Sequence, residues 1–154
     1  MLRFLEKNRL IAFILFLLIA IEIFYISSLK FTPGKGGLGL IPITYHFCVF
    51  FLFATFLLAT IKGEKKIKAI HLLLVWIVSF AYSFLDELHQ SFIPGRVAGM
   101  EDLMINGAGI LFSTVIYLYK EKSNSKLDEN PPSYEAKYGN EHDQQPAQQR
   151  QSYY

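Results

Sequence analysis

Apolar residues fall along this chain in four long blocks separated by short polar stretches. Residues 10–26 are apolar except for Glu22, and residues 43–61 hold no acid or base other than His46. Residues 69–85 carry only His71, and residues 103–119 are interrupted mainly by Asn106. Each block approaches the roughly 20 residues that a helix needs to cross the hydrocarbon core of a bilayer. None alternates with period two, and a backbone in lipid must satisfy its own hydrogen bonds, so the blocks predict helices. A soluble four-helix bundle would need a polar stripe along each helix, and these blocks have none. The expected fold class is therefore all-α: a polytopic membrane protein with four transmembrane helices.

Composition agrees: 52% of the residues are hydrophobic and 16% aromatic, more than a 154-residue soluble domain can hide. Net charge is only +2, too small to point to nucleic acid, and the single cysteine, Cys48, cannot form an internal disulfide. The distribution of charge says more than its sum. Ten basic residues lie at Arg3, Lys7 and Arg9, at Lys62, Lys65, Lys66 and Lys68, and at Lys120, Lys122 and Lys126. The alternate loops hold three, at Lys30, Lys35 and Arg96. That bias predicts a multi-pass protein of the cell membrane with both termini cytoplasmic. The first block also has the basic start and apolar core of a signal peptide, but no small-x-small cleavage site follows it, so an uncleaved span is expected. Residues 123–154 are rich in Asn, Gln, Pro, Glu, Lys and Tyr and poor in aliphatics, which predicts a disordered cytoplasmic tail. Pro131-Pro-Ser-Tyr134 within it matches the ligand pattern of proline-binding modules, a pattern such a composition also produces by chance.

With that topology the polar residues collect at the outer end. The third span ends in Ser83, Asp86, Glu87, His89 and Gln90, with Ser83, Glu87 and Gln90 on one helical line. The fourth re-enters through Glu101, Asp102 and Asn106, and Asp102, Asn106, Gly109 and Ser113 share one stripe. The second span opens with Tyr45 and His46; the first closes with Ser27 and Ser28, with Glu22 a turn deeper. Asn106 needs a protein partner because lipid offers none, and Gly109 and Ser113 allow a neighbouring helix to approach closely. Arg96, in a Pro-Gly turn, is the expected counter-ion of the acids, and its fork suits carboxylate or phosphate. His89 is expected at the surface, and the cytoplasmic lysines are expected to be ordinary ones. His46 reads equally well as an interfacial residue.

Asp86-Glu87-Leu-His89-Gln90-x-Phe92-x-Pro94-Gly95-Arg96, followed by Asp102, Asn106 and Gly109, resembles the VanZ-like family. The Phe-Tyr-Ile-Ser27-Ser28 end of the first span and His46 at the start of the second also look like that family. The similarity covers residues from about 10 to 118, with departures at Gly99, where members often have Ser, and at Glu101, usually apolar. The resemblance implies a small bacterial membrane protein with a transmembrane domain over residues 1–122. The founding member is associated with low-level resistance to teicoplanin, a glycopeptide antibiotic; the resemblance supplies no biochemical mechanism.

The candidate site is thus Asp86, Glu87, Gln90, Arg96, Asp102, Asn106 and His46, with Glu22, Ser27, Ser28 and Glu101 as weaker members. The same residues also read as a hydrogen-bonded clasp between the third and fourth spans. His46, Asp86, Glu87 and Asp102 are possible hard metal ligands, yet no HxxxH or CxxC spacing supports a metal site, and none is expected; nor is a cofactor. There is no GxSxG, no glycine-rich nucleotide loop and no nucleophilic cysteine at this end. Two classes stay open. One is a non-enzymatic envelope protein whose partners are membrane lipids, a lipid-linked precursor or a glycopeptide. The other is an intramembrane enzyme using Asp86 or Glu87 as general base and Arg96 to hold phosphate. A transporter would need a homo-oligomer. The charge bias makes the topology testable: cysteines placed at Lys35 and Val97 should react with impermeant maleimide in intact cells, and one at Lys65 should not. Labelling at 65 alone would reverse the topology.

Overall fold

The computed structural model describes residues 2–30, 40–96 and 99–129, with side chains described as far as residue 124. These residues form five helices and no strand: α1 (Leu2–Lys7), α2 (Arg9–Ser27), α3 (Leu40–Lys62), α4 (Ala69–Ser91) and α5 (Met100–Glu129). Four helical stretches, Arg9–Ser27, Leu40–Lys62, Ala69–Ser91 and Met100–Asn124, are long and apolar enough to cross a membrane. Large apolar side chains such as Leu18, Ile21, Phe24, Ile77, Phe84 and Leu111 remain exposed on the bundle. Water would penalise so much apolar surface, whereas lipid does not.

Helix ends follow the local chemistry. The α3 helix stops at Gly63, whose φ of +58° is left-handed and whose N–H bonds Ala59 O at 3.0 Å. At the start of α4 the Lys68 N–H donates to His71 Nδ1 at 3.1 Å, so His71 closes a helix end. Beyond α4, Ile93 O accepts the Arg96 N–H at 3.1 Å across Pro94 and Gly95, the latter at φ +87°. Proline then glycine in that order is what a type II turn requires, and it reverses the chain between α4 and α5.

Buried residues concentrate on α3, where Phe50, Phe53, Ala54 and Leu58 have no exposure. Phe53 packs tilted against Phe16 of α2 and stacks on Tyr82 of α4, each with ring centroids 4.8 Å apart, joining three helices through one side chain. The Tyr82 hydroxyl donates to Ala20 O at 2.5 Å, a second tie between α4 and α2. The α5 helix packs on α3 at its small residues. A Cβ added at Gly109 would lie 2.5 Å from Phe47 O and 3.0 Å from Phe51 N, both backbone atoms. One turn on, Ser113 Oγ meets Thr55 Oγ1 at 2.8 Å. The Trp76 indole N–H also reaches α5, donating to Thr114 Oγ1 at 3.0 Å.

Three features depart from the sequence expectations. The short α1 buries Leu5 and Glu6, and Glu6 pairs with Lys62 Nζ at 3.4 Å, so Lys62 is a buried partner rather than an ordinary surface lysine. Arg9 Nε likewise donates to Thr60 O at 2.8 Å. The helix also runs past residue 123, where disorder was expected, to Glu129. Once a helix exists each added residue costs little, and Lys, Glu and Leu favour it. Residues 130–154, including Pro131–Tyr134, lie outside the described residues. The chain divides into two units, Met1–Leu118, which holds the bundle, and Tyr119–Tyr154, described only to Glu129.

The Gly109 contact yields a stability test. Gly109→Ala forces backbone of α3 away and should lower stability in detergent by about 1–3 kcal/mol. Gly107→Ala, which meets only the Phe80 ring at 3.2 Å, should cost distinctly less because a side chain can swing aside. Thermal unfolding of the two variants distinguishes them; equal losses would mean that α3 and α5 are not held in this contact.

Candidate functional site

The C-terminal ends of α2 and α4 and the N-terminal ends of α3 and α5 lie together, and their polar residues turn inward. His46, Asp86, Glu87, Gln90 and Asn106 are all buried, as is Ser27. Most of these groups reach each other across helices, while Asp86 and Gln90 also pair along α4.

Two hydrogen-bonded sets make up most of the cluster. In the first, Asn106 of α5 has no exposure and joins its neighbours on both sides. Its Nδ2 donates to Ser83 Oγ of α4 at 2.9 Å, and its Oδ1 lies 3.1 Å from His46 Nδ1 of α3. A carbonyl oxygen only accepts, so this bond needs a proton on His46 Nδ1, and in the neutral imidazole the lone pair then lies on Nε2. In the second, Asp86 Oδ1 accepts the Ser27 hydroxyl of α2. Its Oδ2 accepts Gln90 Nε2 at 3.0 Å, and the same Gln90 nitrogen reaches Ser27 Oγ at 3.3 Å. Asp86 and Gln90, four residues apart on α4, therefore work as a pair against the end of α2.

Glu87 is the exception. Its Oε2 accepts the Gly99 N–H at 3.2 Å, but Oε1 is buried without a hydrogen-bond partner among the described residues, and only 8% of the residue is exposed. Leaving a buried acceptor unsatisfied costs on the order of 1–3 kcal/mol, more when it is charged. Glu22 repeats the pattern more mildly: Oε1 accepts the Tyr45 hydroxyl at 3.0 Å, while Oε2 is buried without a partner. Tyr45 packs edge-on against His46 at 5.7 Å and also lines an apolar groove of about 330 Å³ with Leu40, Ile41, Thr44 and Cys48.

Arg96 sits at the mouth of this cluster. Its guanidinium donates to Ile26 O and, from Nε, to Leu29 O at 3.4 Å, so it caps carbonyls at the end of α2. The sequence expectation was a fork on the acids. Burial lowers the Arg96 pKa, while the fields of Asp86, Tyr45, Asp102 and Glu87 oppose that shift. Of the remaining expected members, Asp102 is half-buried in the first turn of α5 and Glu101 is exposed there. Ser28 donates back to Phe24 O at 2.8 Å and lies 3.0 Å from His89 Nε2. His89, expected at the surface, is partly buried and stacked on Phe24 with centroids 4.8 Å apart. The sequence also gave no sign of Tyr45 or Ser83 as bridging groups beyond their placement at this end.

One further juxtaposition is not visible in the spacing. His46, Asp86 and Glu87, all buried, each offer a possible metal-ligand atom, and these atoms lie within 4.8 Å of one another. Helical HxxxH spacing is unnecessary when one helix supplies the imidazole and another supplies two successive carboxylates.

The class defined so far is a four-span α-helical membrane protein with a buried, acid-rich polar cluster at one end of its bundle. The chain belongs to the VanZ/LLP1 family, whose family model matches residues 2–121. No curated protein and no solved structure matches it.

The two hydrogen-bonded sets predict coupling. Asn106→Leu and His46→Leu should each destabilise the protein in detergent, and the double variant should lose less than their sum by about 0.5–3 kcal/mol. Glu101→Ala, at an exposed position, should stay within about 0.5 kcal/mol of wild type. Strict additivity of the first pair would mean that His46 and Asn106 do not meet.

Proposed function

We propose that this chain is a bacterial cell-membrane protein, with both termini cytoplasmic, that binds the head group of an envelope lipid or lipid-linked wall precursor at the outer leaflet. Binding there limits the action of teicoplanin-type glycopeptides, which work outside the cytoplasmic membrane. The reading rests on one observation above the others: four spans deliver buried polar groups to one end, and the fold leaves Glu87 Oε1 and Glu22 Oε2 there without partners. Intramembrane ionisable groups are functional by default, because lipid gives them nothing in return. Tyr45 adds support for a lipid-linked ligand, since it touches both the polar cluster and an apolar groove, the pairing that a head group and its chain need. Family membership supports the link to glycopeptides. The lysine and arginine bias supports the orientation.

A second reading is favoured by the same Glu87 oxygen. A carboxylate held by Gly99 on one oxygen and unpartnered on the other is placed to act as a general base, with Arg96 nearby for an anionic group. Turnover of a radiolabelled lipid-linked substrate by the purified protein would establish that reading in place of simple binding.

The test of the primary reading compares glycopeptide susceptibility of cells lacking the protein with cells complemented by wild type, Glu87→Gln, Arg96→Lys and Arg96→Ala. Loss of the protein should raise susceptibility, and Glu87→Gln should do so at unchanged expression. Arg96→Ala should impair more than Arg96→Lys, which keeps the charge and loses the fork. Equal susceptibility with and without the protein would overturn the resistance role.

A further inference from the structure

We propose that His46, Asp86 and Glu87 bind one divalent transition-metal ion, of the zinc or manganese class, with coordination positions left open for oxygen ligands. The inference concerns the metal alone and does not depend on the resistance role or on the ligand of the cluster.

Its first support is geometric. The three side chains come from two helices, α3 and α4, and their candidate ligand atoms already lie within 4.8 Å of one another. Ligands about 2.0–2.2 Å from a tetrahedral zinc are drawn somewhat closer than that limit, so binding pulls the carboxylates inward and ties α4 to α3. The second support is Glu87 itself. More than nine-tenths of it is buried, Gly99 holds Oε2, and Oε1 has no hydrogen-bond partner. A buried carboxylate oxygen with no hydrogen to accept keeps its electron pairs available to a Lewis acid.

The surroundings match what a metal needs. Metal-bound histidines donate their other ring N–H to an oxygen that fixes the ring. Here His46 Nδ1–H points to Asn106 Oδ1 at 3.1 Å, Asn106 is anchored by Ser83 at 2.9 Å, and Nε2 is the free lone pair. Asp86 is oriented by Ser27 and by Gln90, the latter at 3.0 Å. Charge balances as well. Two adjacent carboxylates and a neutral imidazole sum to minus two, which one divalent ion cancels, whereas Arg96 brings a single positive charge to Asp86, Glu87 and Asp102 together. The donor set of one nitrogen and two carboxylate oxygens excludes the soft, thiolate-seeking ions and suits zinc or manganese. Three protein ligands rather than four leave the open position typical of sites that bind a further oxygen, from water, carboxylate or phosphate.

The experiment uses the full-length chain purified in detergent and stripped with a chelator. Adding Zn²⁺ or Mn²⁺ should raise the melting temperature by several degrees, with Mg²⁺ much less effective, and elemental analysis after desalting should find about one ion per chain. Co²⁺ in place of zinc should give visible absorption bands from a nitrogen–oxygen site. Glu87→Gln should lose the bound ion and the thermal shift while melting, metal-free, no lower than the stripped wild type, because the substitution removes a desolvated acid. His46→Gln should lose the cobalt bands. Asn106→Ala, a positioning change, should weaken binding without abolishing it. Equal ion content and equal thermal shift in wild type and Glu87→Gln, or no stoichiometric ion in wild type with either metal, would overturn the proposal.

Discussion

Asn106 has no exposure to solvent and lies in a segment apolar enough to cross a bilayer, so every hydrogen bond its amide makes must come from protein. An amide in that position cannot be left half-satisfied, because neither water nor lipid will finish the work. It is satisfied by Ser83 on one side and His46 on the other, and this ties α5 to α4 and α3 at one depth. Gly109, three residues on, lets the α5 backbone come close enough for the amide to reach. Rotating α5 by even one position would bury the amide against apolar neighbours, so the need to satisfy one side chain sets the rotation of a whole helix. His46 in turn is oriented by that bond, and its orientation decides which nitrogen faces the acids of α4.

What could be read in advance follows the same physics. Four spans were legible because lipid forces long, continuous apolar runs; α2 and α3 begin and end within three residues of their blocks, and α4 and α5 begin that close but run on past theirs. The stripe of Asn106, Gly109 and Ser113 was legible because polar and small residues are rare in such a run and their spacing can be counted. Partners were not legible. Ser27 and Asp86 stand 59 residues apart, and His46 and Asn106 stand 60 apart. The apolar character of α2 and α3 extends around much of their circumference, so no stripe marks the face that turns inward. The same lack of a marker hid the ion pair of Glu6 with Lys62 and the place of His89 against Phe24. The bonds of Arg96 to Ile26 O and Leu29 O went unforeseen for a related reason. Sequence shows nearby acids but not the exposed carbonyls at the end of α2, which its guanidinium takes.

The two ends of the bundle are built differently, and the contrast bears on purpose. At one end Glu6 and Lys62 neutralise each other and Arg9 takes the Thr60 carbonyl, so charge is matched locally. At the other, Asp86 is fully hydrogen-bonded, yet Glu87 and Glu22 each keep a buried oxygen with no partner. Replacing such a group by an apolar residue of similar size is commonly neutral or stabilising, so stability alone gives no reason to keep it. A clasp between α4 and α5 does not need it either, since Ser83 and Asn106 already make that connection. The unsatisfied carboxylate is therefore a group whose presence neither the packing nor the helix contacts account for.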